Sequence, residues 1–292
     1  MYFTDYLSND ETIEINRLIN RLQGEDLTLQ ALWHIMDQIW DEMQCDNKAP
    51  DIAKLKSYYQ HPVWLLNGLF IENHDVSLKC RAAISDWIVQ EKRTKILDFG
   101  GGFGTLARMI AEKSANAVID IYEPFPAQAA LKSCQGYSNI AFVNQLESEY
   151  QCLVSTDILE HVPDPLSLLA KMISLVEVNG YLIIANHFYP SIKCHLPETF
   201  HLRFSFNHLA TAMGLKMVDY CHGSHATIYL KTSTQPIDWV KVRQIERQSR
   251  RLFILREFNR YYVSAWRIET KKIIANSIKQ TQQILNSIHF AN

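Results

Sequence analysis

Ten consecutive residues, Lys95-Ile-Leu-Asp-Phe-Gly-Gly-Gly-Phe-Gly104, join an apolar run, one carboxylate and four glycines. Glycines at 100, 102 and 104 make a G-x-G-x-G turn. A backbone bends that sharply, or approaches a ligand that closely, only where no side chain intervenes. A dinucleotide fingerprint would place its third glycine at position 105, which is Thr105. Asp98, two residues before the first glycine, is unfavourable beside a pyrophosphate and suits a ligand with an ammonium group. Glu123 lies 25 residues beyond Asp98, where the next strand of a βαβ unit should finish. A carboxylate there can accept both hydroxyls of a ribose. Asp120 is its rival, although it falls inside the expected strand rather than at its tip. A third segment, Cys152-Leu-Val-Ser-Thr-Asp-Ile-Leu-Glu-His-Val-Pro-Asp-Pro165, empties an apolar strand into acids and an imidazole. In open α/β sheets such residues face the ligand crevice beyond the carboxyl ends of the strands.

The elements that must position these groups alternate. Lys95–Phe99, Ala117–Tyr122, Ile140–Val143, Cys152–Ser155 and Tyr181–Ala185 are β-rich. Between them lie helical stretches at Thr105–Lys113, Ala127–Cys134 and Pro165–Val176. Such alternation predicts βαβ units in a parallel sheet covered on both faces. A helix near 207–213, ended by Gly214, precedes a terminal strand pair at Leu215–Cys221 and Ala226–Lys231, giving a seven-stranded doubly wound domain. Residues 1–90 read as an all-helical cap. Ser8-x-x-Glu11 has capping-box spacing, and Leu29, Leu32, Trp33, Met36, Ile39, Trp40 and Met43 recur at helical spacing. Pro50 and Pro62 punctuate a connection to a third helix at about 76–89. Beyond Pro236 the apolar positions Leu252, Phe253, Leu255, Phe258, Tyr262, Trp266 and Ile273 return to helical spacing among basic residues. The expected parts are a cap (1–90), a sheet domain (91–232) and a basic helical extension (233–292).

With 292 residues, 47% apolar and 21% charged, the chain has ample material for a buried core, which excludes wholesale disorder. Its six cysteines form no C-x-x-C pair and read as reduced thiols of a cytoplasmic protein. The acidic, polar N-terminus is unlike a signal or transit peptide. The longest apolar stretch, Val63 to Ile71, is far short of the ~20 residues that a membrane span needs. The net charge of −2 conceals −6 in residues 1–94, −3 in 95–232 and +7 in 233–292. That polarity suits docking of tail on cap, within one chain or in a homodimer through the helical extensions. An anionic small acceptor ranks next and nucleic acid last, since a pI near 6.6 is not that of a typical nucleic-acid binder.

Asp98 with its G-x-G-x-G turn, Tyr-Glu-Pro at 122–124 and Asp-Ile-Leu-Glu-His-Val-Pro-Asp-Pro from 157 together resemble class I S-adenosylmethionine-dependent methyltransferases. The most similar subset is the small-molecule type that includes ubiquinone-pathway O-methyltransferases. The resemblance spans about residues 90–232. It implies a Rossmann-like seven-stranded sheet with one antiparallel strand, and methyl transfer to a small-molecule acceptor, on oxygen first, with nitrogen or carbon next. It further implies that Asp98, Gly100, Gly102 and Asp157 hold the cofactor and that Glu123 takes its ribose hydroxyls. Many members meet the adenine with a Gly-Asp pair after the third strand. Here that stretch is Asn144-Gln145-Leu146, which leaves the role to Gln145.

Methyl transfer to oxygen needs a proton removed, and an unperturbed imidazole titrates near the working pH. His161 is therefore a candidate base, its alternative being a histidine that packs and bonds a carbonyl. His187 and Tyr189 lie in the loop that borders the acceptor pocket in the family. His195 and His201 follow at no standard zinc spacing. Asp157-x-x-Glu160-His161 is similar to the Glu-x-x-Glu-His by which some related O-methyltransferases bind a divalent ion. The first position is the shorter Asp, and no metal is assigned. Tyr58-Tyr59-Gln-His61-Pro-Val-Trp64 falls where members carry a lid over the cofactor, or else is cap core. The glycines and the ribose carboxylate are those that a degenerate, merely binding module would lose first.

Overall fold

The computed structural model describes residues 6–146 and 149–263. Ser8 opens the first helix, α1 (Asn9–Ile19), through the expected capping box. Its hydroxyl accepts from the Glu11 amide at 3.2 Å, and its own amide donates to Glu11 Oε2 at 2.9 Å. Thr28 caps α2 (Leu29–Glu42), whose apolar face buries Leu32, Ile35, Met36, Ile39 and Trp40. The connection from Pro50 to the expected third helix differs from expectation, because it holds two further helices, α3 (Ile52–Tyr59) and α4 (Val63–Ile71). Asp51 caps α3 by accepting from the Ala53 and Lys54 amides, and Pro62 occupies the N-cap of α4. Both prolines stand just before a helix, where a missing N–H costs nothing. Val63–Ile71 is apolar on nearly every side, so it shows no stripe, and most of it is buried. The next helix, α5, runs from Asp75 to Gln90.

The sheet domain follows as β1 (Lys95–Phe99), α6 (Thr105–Lys113), β2 (Val118–Tyr122), α7 (Gln128–Cys134), β3 (Ile140–Phe142), β4 (Tyr150–Thr156), α8 (Pro165–Leu175), β5 (Val176–Ala185), α9 (Phe206–Ala212), β6 (Leu215–Tyr220) and β7 (Thr227–Lys231). Strand order is β3-β2-β1-β4-β5-β7-β6, with β7 antiparallel to both neighbours. The chain winds outward from β1 to β3, then returns to place β4 on the other side of β1. That reversal opens a crevice at the carboxyl ends of β1 and β4, where Asp98 pairs with Val154 in register.

Cap and sheet lie in one compact unit, residues 1–242. One core cluster joins Ile15, Trp40, Tyr58 and Leu66 of the cap to Phe103, Ala129, Cys194 and Leu196 of the sheet domain. Glu72, which ends α4, ion-pairs with Arg108 at 2.5 Å and accepts from the Thr105 hydroxyl. These contacts seat the cap on the loop after β1. Of the second unit, 243–292, residues 243–263 are described and are helical. The helical period expected there is observed. Its apolar members Leu252, Leu255, Phe258 and Tyr262 are exposed. Trp266 and Ile273, with the basic pair Lys271-Lys272, lie outside the described residues. Among the described residues no helix is long and apolar enough to cross a membrane.

Candidate active site

The glycine turn is left-handed at alternate positions, with φ of 75° at Gly100, 54° at Gly102 and 76° at Gly104. At Gly100 a Cβ would lie 2.4 Å from Ile158 Cδ1, so the turn packs directly on the segment after β4. At Gly102 a Cβ would meet nothing within 4 Å, which leaves open space against bare backbone. Asp98 sits beneath this turn, 2% exposed, and its Oδ2 has no hydrogen-bond partner. Burial pushes the carboxyl up to about 7, opposed by Arg81 and reinforced by the charge of Glu123. A buried acidic oxygen without a partner beside open backbone fits the ammonium end of an amino-acid ligand.

Glu123, just past β2, turns toward the glycines. Its Oε2 accepts from the Gly102 amide at 3.1 Å and its Oε1 from the Phe125 amide at 3.3 Å. Burial raises its pKa, and these two amide bonds work in the opposite direction. Asp120 is engaged elsewhere, since its Oδ2 accepts from the Tyr150 hydroxyl at 2.7 Å. Of the two carboxylates, Glu123 is the one that meets the glycine turn. Gln145 is exposed, three residues beyond β3, at the same carboxyl edge of the sheet.

Asp157 has φ 55°, and its amide donates to Ala185 O at 2.9 Å. Its Oδ1 meets His225 Nε2 at 3.0 Å. Burial alone would raise this carboxyl, but the hydrogen bond and charge of His225 hold it below its ordinary value. The same hydrogen bond raises His225 to about 9. No motif in the sequence singles out His225. Its signal is topological: β6 runs parallel to β5, so the β6–β7 turn must come back to the carboxyl edge.

The residues after Asp157 form a short buried turn. In the 3₁₀ turn Leu159–His161, Glu160 is fully buried and its Oε1 accepts from the His187 amide at 2.7 Å. Burial and the charge of Asp157 push Glu160 up to about 8. His161 Nδ1 donates to Cys194 O at 3.2 Å, and burial, followed by His195, draws the imidazole down to about 3. Its ring lies 4.8 Å from His195, 5.8 Å from Trp64 and 6.0 Å from Tyr59. His195 Nδ1 donates in turn to Tyr189 O at 2.7 Å. His187 is half-buried, with Nε2 at 2.7 Å from Ser191 Oγ, and burial lowers its pKa. The sequence pattern Asp157-Glu160-His161 is thus divided in space. Among the described residues, the side chains whose ligating atoms lie within 4.8 Å of one another are Glu160, His161 and His195. Sequence spacing had not linked His195 to the other two, because the contact closes across the loop after β5.

A family model described as a methyltransferase domain matches residues 73–228. Among curated proteins, the chain is similar to the ubiquinone biosynthesis O-methyltransferase of Saccharophagus degradans, 30% identical over 126 residues, covering 40% of this chain and 53% of that protein. The enzyme of the same description from Erwinia tasmaniensis is 31% identical over 130 residues, covering 40% and 52%. The chain spans about half the length of the curated relatives it matches. A solved structure, an O-methyltransferase family protein from Burkholderia thailandensis, is 14% identical with a TM-score of 0.43, covering 73% of this chain and 75% of that chain. The family match takes in more than half of the chain, including the glycine turn, Glu123 and the segment after β4: the chain belongs to the methyltransferase domain family, whose methyl donor is S-adenosylmethionine.

Proposed function

We propose that the protein transfers the methyl group of S-adenosylmethionine to an oxygen of a small-molecule acceptor by in-line displacement. The observation that carries this reading is the unpartnered Oδ2 of Asp98 under the glycine turn, with Glu123 facing the same turn. Asp98 would receive the ammonium group, Gly100 and Gly102 would let the backbone close on the ligand, and Glu123 would accept from the ribose hydroxyls. Gln145 would meet the adenine from the end of β3, and Asp157, steadied by His225, would complete the wall after β4. When bound, the cofactor supplies a sulfonium whose methyl is displaced and whose sulfur leaves as a neutral thioether. The chain has then to align the acceptor and remove its proton.

His187 and His161 divide that work. His161, drawn down to about 3, stays neutral and offers Nε2 as an acceptor that orients the incoming hydroxyl. His187, half-buried at the end of β5, is the better proton acceptor because it keeps access to water. The curated relatives' descriptions as O-methyltransferases support oxygen over nitrogen or carbon. Use of the basic extension in a homodimer belongs to the same proposal. Calorimetry with S-adenosylhomocysteine tests the reading: binding is expected in the micromolar range, and no heat at millimolar ligand would overturn it.

A further inference from the structure

Tyrosine and tryptophan at the margin of a core ordinarily bury the ring and leave the hydroxyl or indole N–H where water reaches it. Tyr59, the last residue of α3, and Trp64, in the first turn of α4, do the reverse. Both residues are half-buried, yet Tyr59 Oη and Trp64 Nε1 are themselves buried and have no hydrogen-bond partner. Their rings lie 5.1 Å apart, tilted by 44°, and each meets the His161 ring nearly edge-on. A third group in the cluster is in the same condition, because Glu160 gives Oε1 to the His187 amide and leaves Oε2 without a partner. Packing alone does not account for this, since phenylalanine would fill position 59 without burying a hydroxyl. Two buried donors from the cap, left without partners beside the His161 ring, instead suit a ligand oxygen that accepts hydrogen bonds.

We propose that Tyr59 and Trp64 are acceptor-binding residues whose O–H and N–H donate to the acceptor's oxygen beside His161, so that the cap selects the acceptor. This rests on the methyl-transfer reading above. Two such donors favour hydroxyl, phenol or carbonyl oxygen and reject a protonated amine, which has no lone pair to offer. His161 Nε2 takes the hydroxyl proton in a hydrogen bond, its Nδ1 being held by Cys194 O.

The test uses the full chain, ¹⁵N-labelled and saturated with S-adenosylhomocysteine, with phenol as the probe. The Trp64 indole resonance is identified by its loss in Trp64→Phe. Phenol is expected to shift that resonance, whereas cyclohexylamine, protonated at neutral pH, leaves it in place. Tyr59→Phe keeps the ring and removes an unpaired donor. It is expected to weaken phenol binding roughly 3–10-fold, the scale of one hydrogen bond, while thermal stability stays equal or rises. A Trp64 indole unmoved by 50 mM phenol, an equal response to the amine, or a Tyr59→Phe protein with unchanged phenol affinity would each overturn the inference. Failure of S-adenosylhomocysteine to bind would instead refute the methyl-transfer reading, and the two failures are distinguishable.

Discussion

Asp98→Asn separates the cost of burying a carboxylate from its use. In an unfolded chain Asp98 titrates near the ordinary 3.8, and in the fold burial lifts it to about 7. Below both values the proton is present in both states, and Asp98 adds no pH dependence. Between them the unfolded state ionises while the fold keeps its proton, so stability falls as pH rises, and above 7 the full penalty is present. Every pH unit that separates the two values is worth ~1.4 kcal/mol, which makes the penalty at pH 8 about 4 kcal/mol, of which about 2–3 develop between pH 5 and pH 8. Asparagine cannot ionise. Urea unfolding of the ligand-free proteins should therefore show the parent losing about 2–3 kcal/mol more than Asp98→Asn between pH 5 and pH 8. Binding should run the opposite way. S-adenosylhomocysteine brings the ammonium that Oδ2 lacks, so the parent's affinity should rise through pH 7 and the variant's should stay low. Parallel stability profiles for parent and variant would refute the buried-carboxylate account. A variant that binds the ligand as tightly as the parent would refute the ammonium assignment.

Glu123→Ala should weaken S-adenosylhomocysteine binding by about 1–3 kcal/mol, the scale of a lost charge-assisted hydrogen bond. Calorimetry of Asp120→Asn provides the contrast, because Tyr150 already holds that side chain and affinity should barely change. Gly100→Ala combines φ 75° with a 2.4 Å clash at Ile158 and should destabilise the fold by ~2 kcal/mol or more. Adding Ile158→Ala should return only the steric part, as read by thermal unfolding. Dialysis against a strong chelator should leave methyl transfer intact. Loss of activity restored by added zinc or magnesium would assign an ion to Glu160, His161 and His195.

What the sequence disclosed and what it withheld follow from how far apart the interacting residues lie. The placement of the glycine turn, Asp98 and Glu123 was legible because each position is set within a few residues by one strand end, and strand order then places those ends together. The strands of the buried sheet were legible for a related reason, since runs of apolar residues between helical stretches admit few other folds. α3 and α4 were not. Their prolines look like interruptions and prove to be helix starts, and Val63–Ile71 is too uniformly apolar to show a period. His225 and His195 were hidden because their partners, Asp157 and His161, stand 68 and 34 residues away and meet them only through a returning turn or a closing loop. The cap illustrates the limit most sharply. Helical spacing correctly placed Trp40 in the core but is blind to which end of Trp64 points inward. Periodicity records where apolar surface goes, whereas a binding site depends on where polar atoms are left unpaired. If Tyr59 and Trp64 bind the acceptor as proposed, its choice is made in α3 and α4, the two helices that the pattern did not reveal.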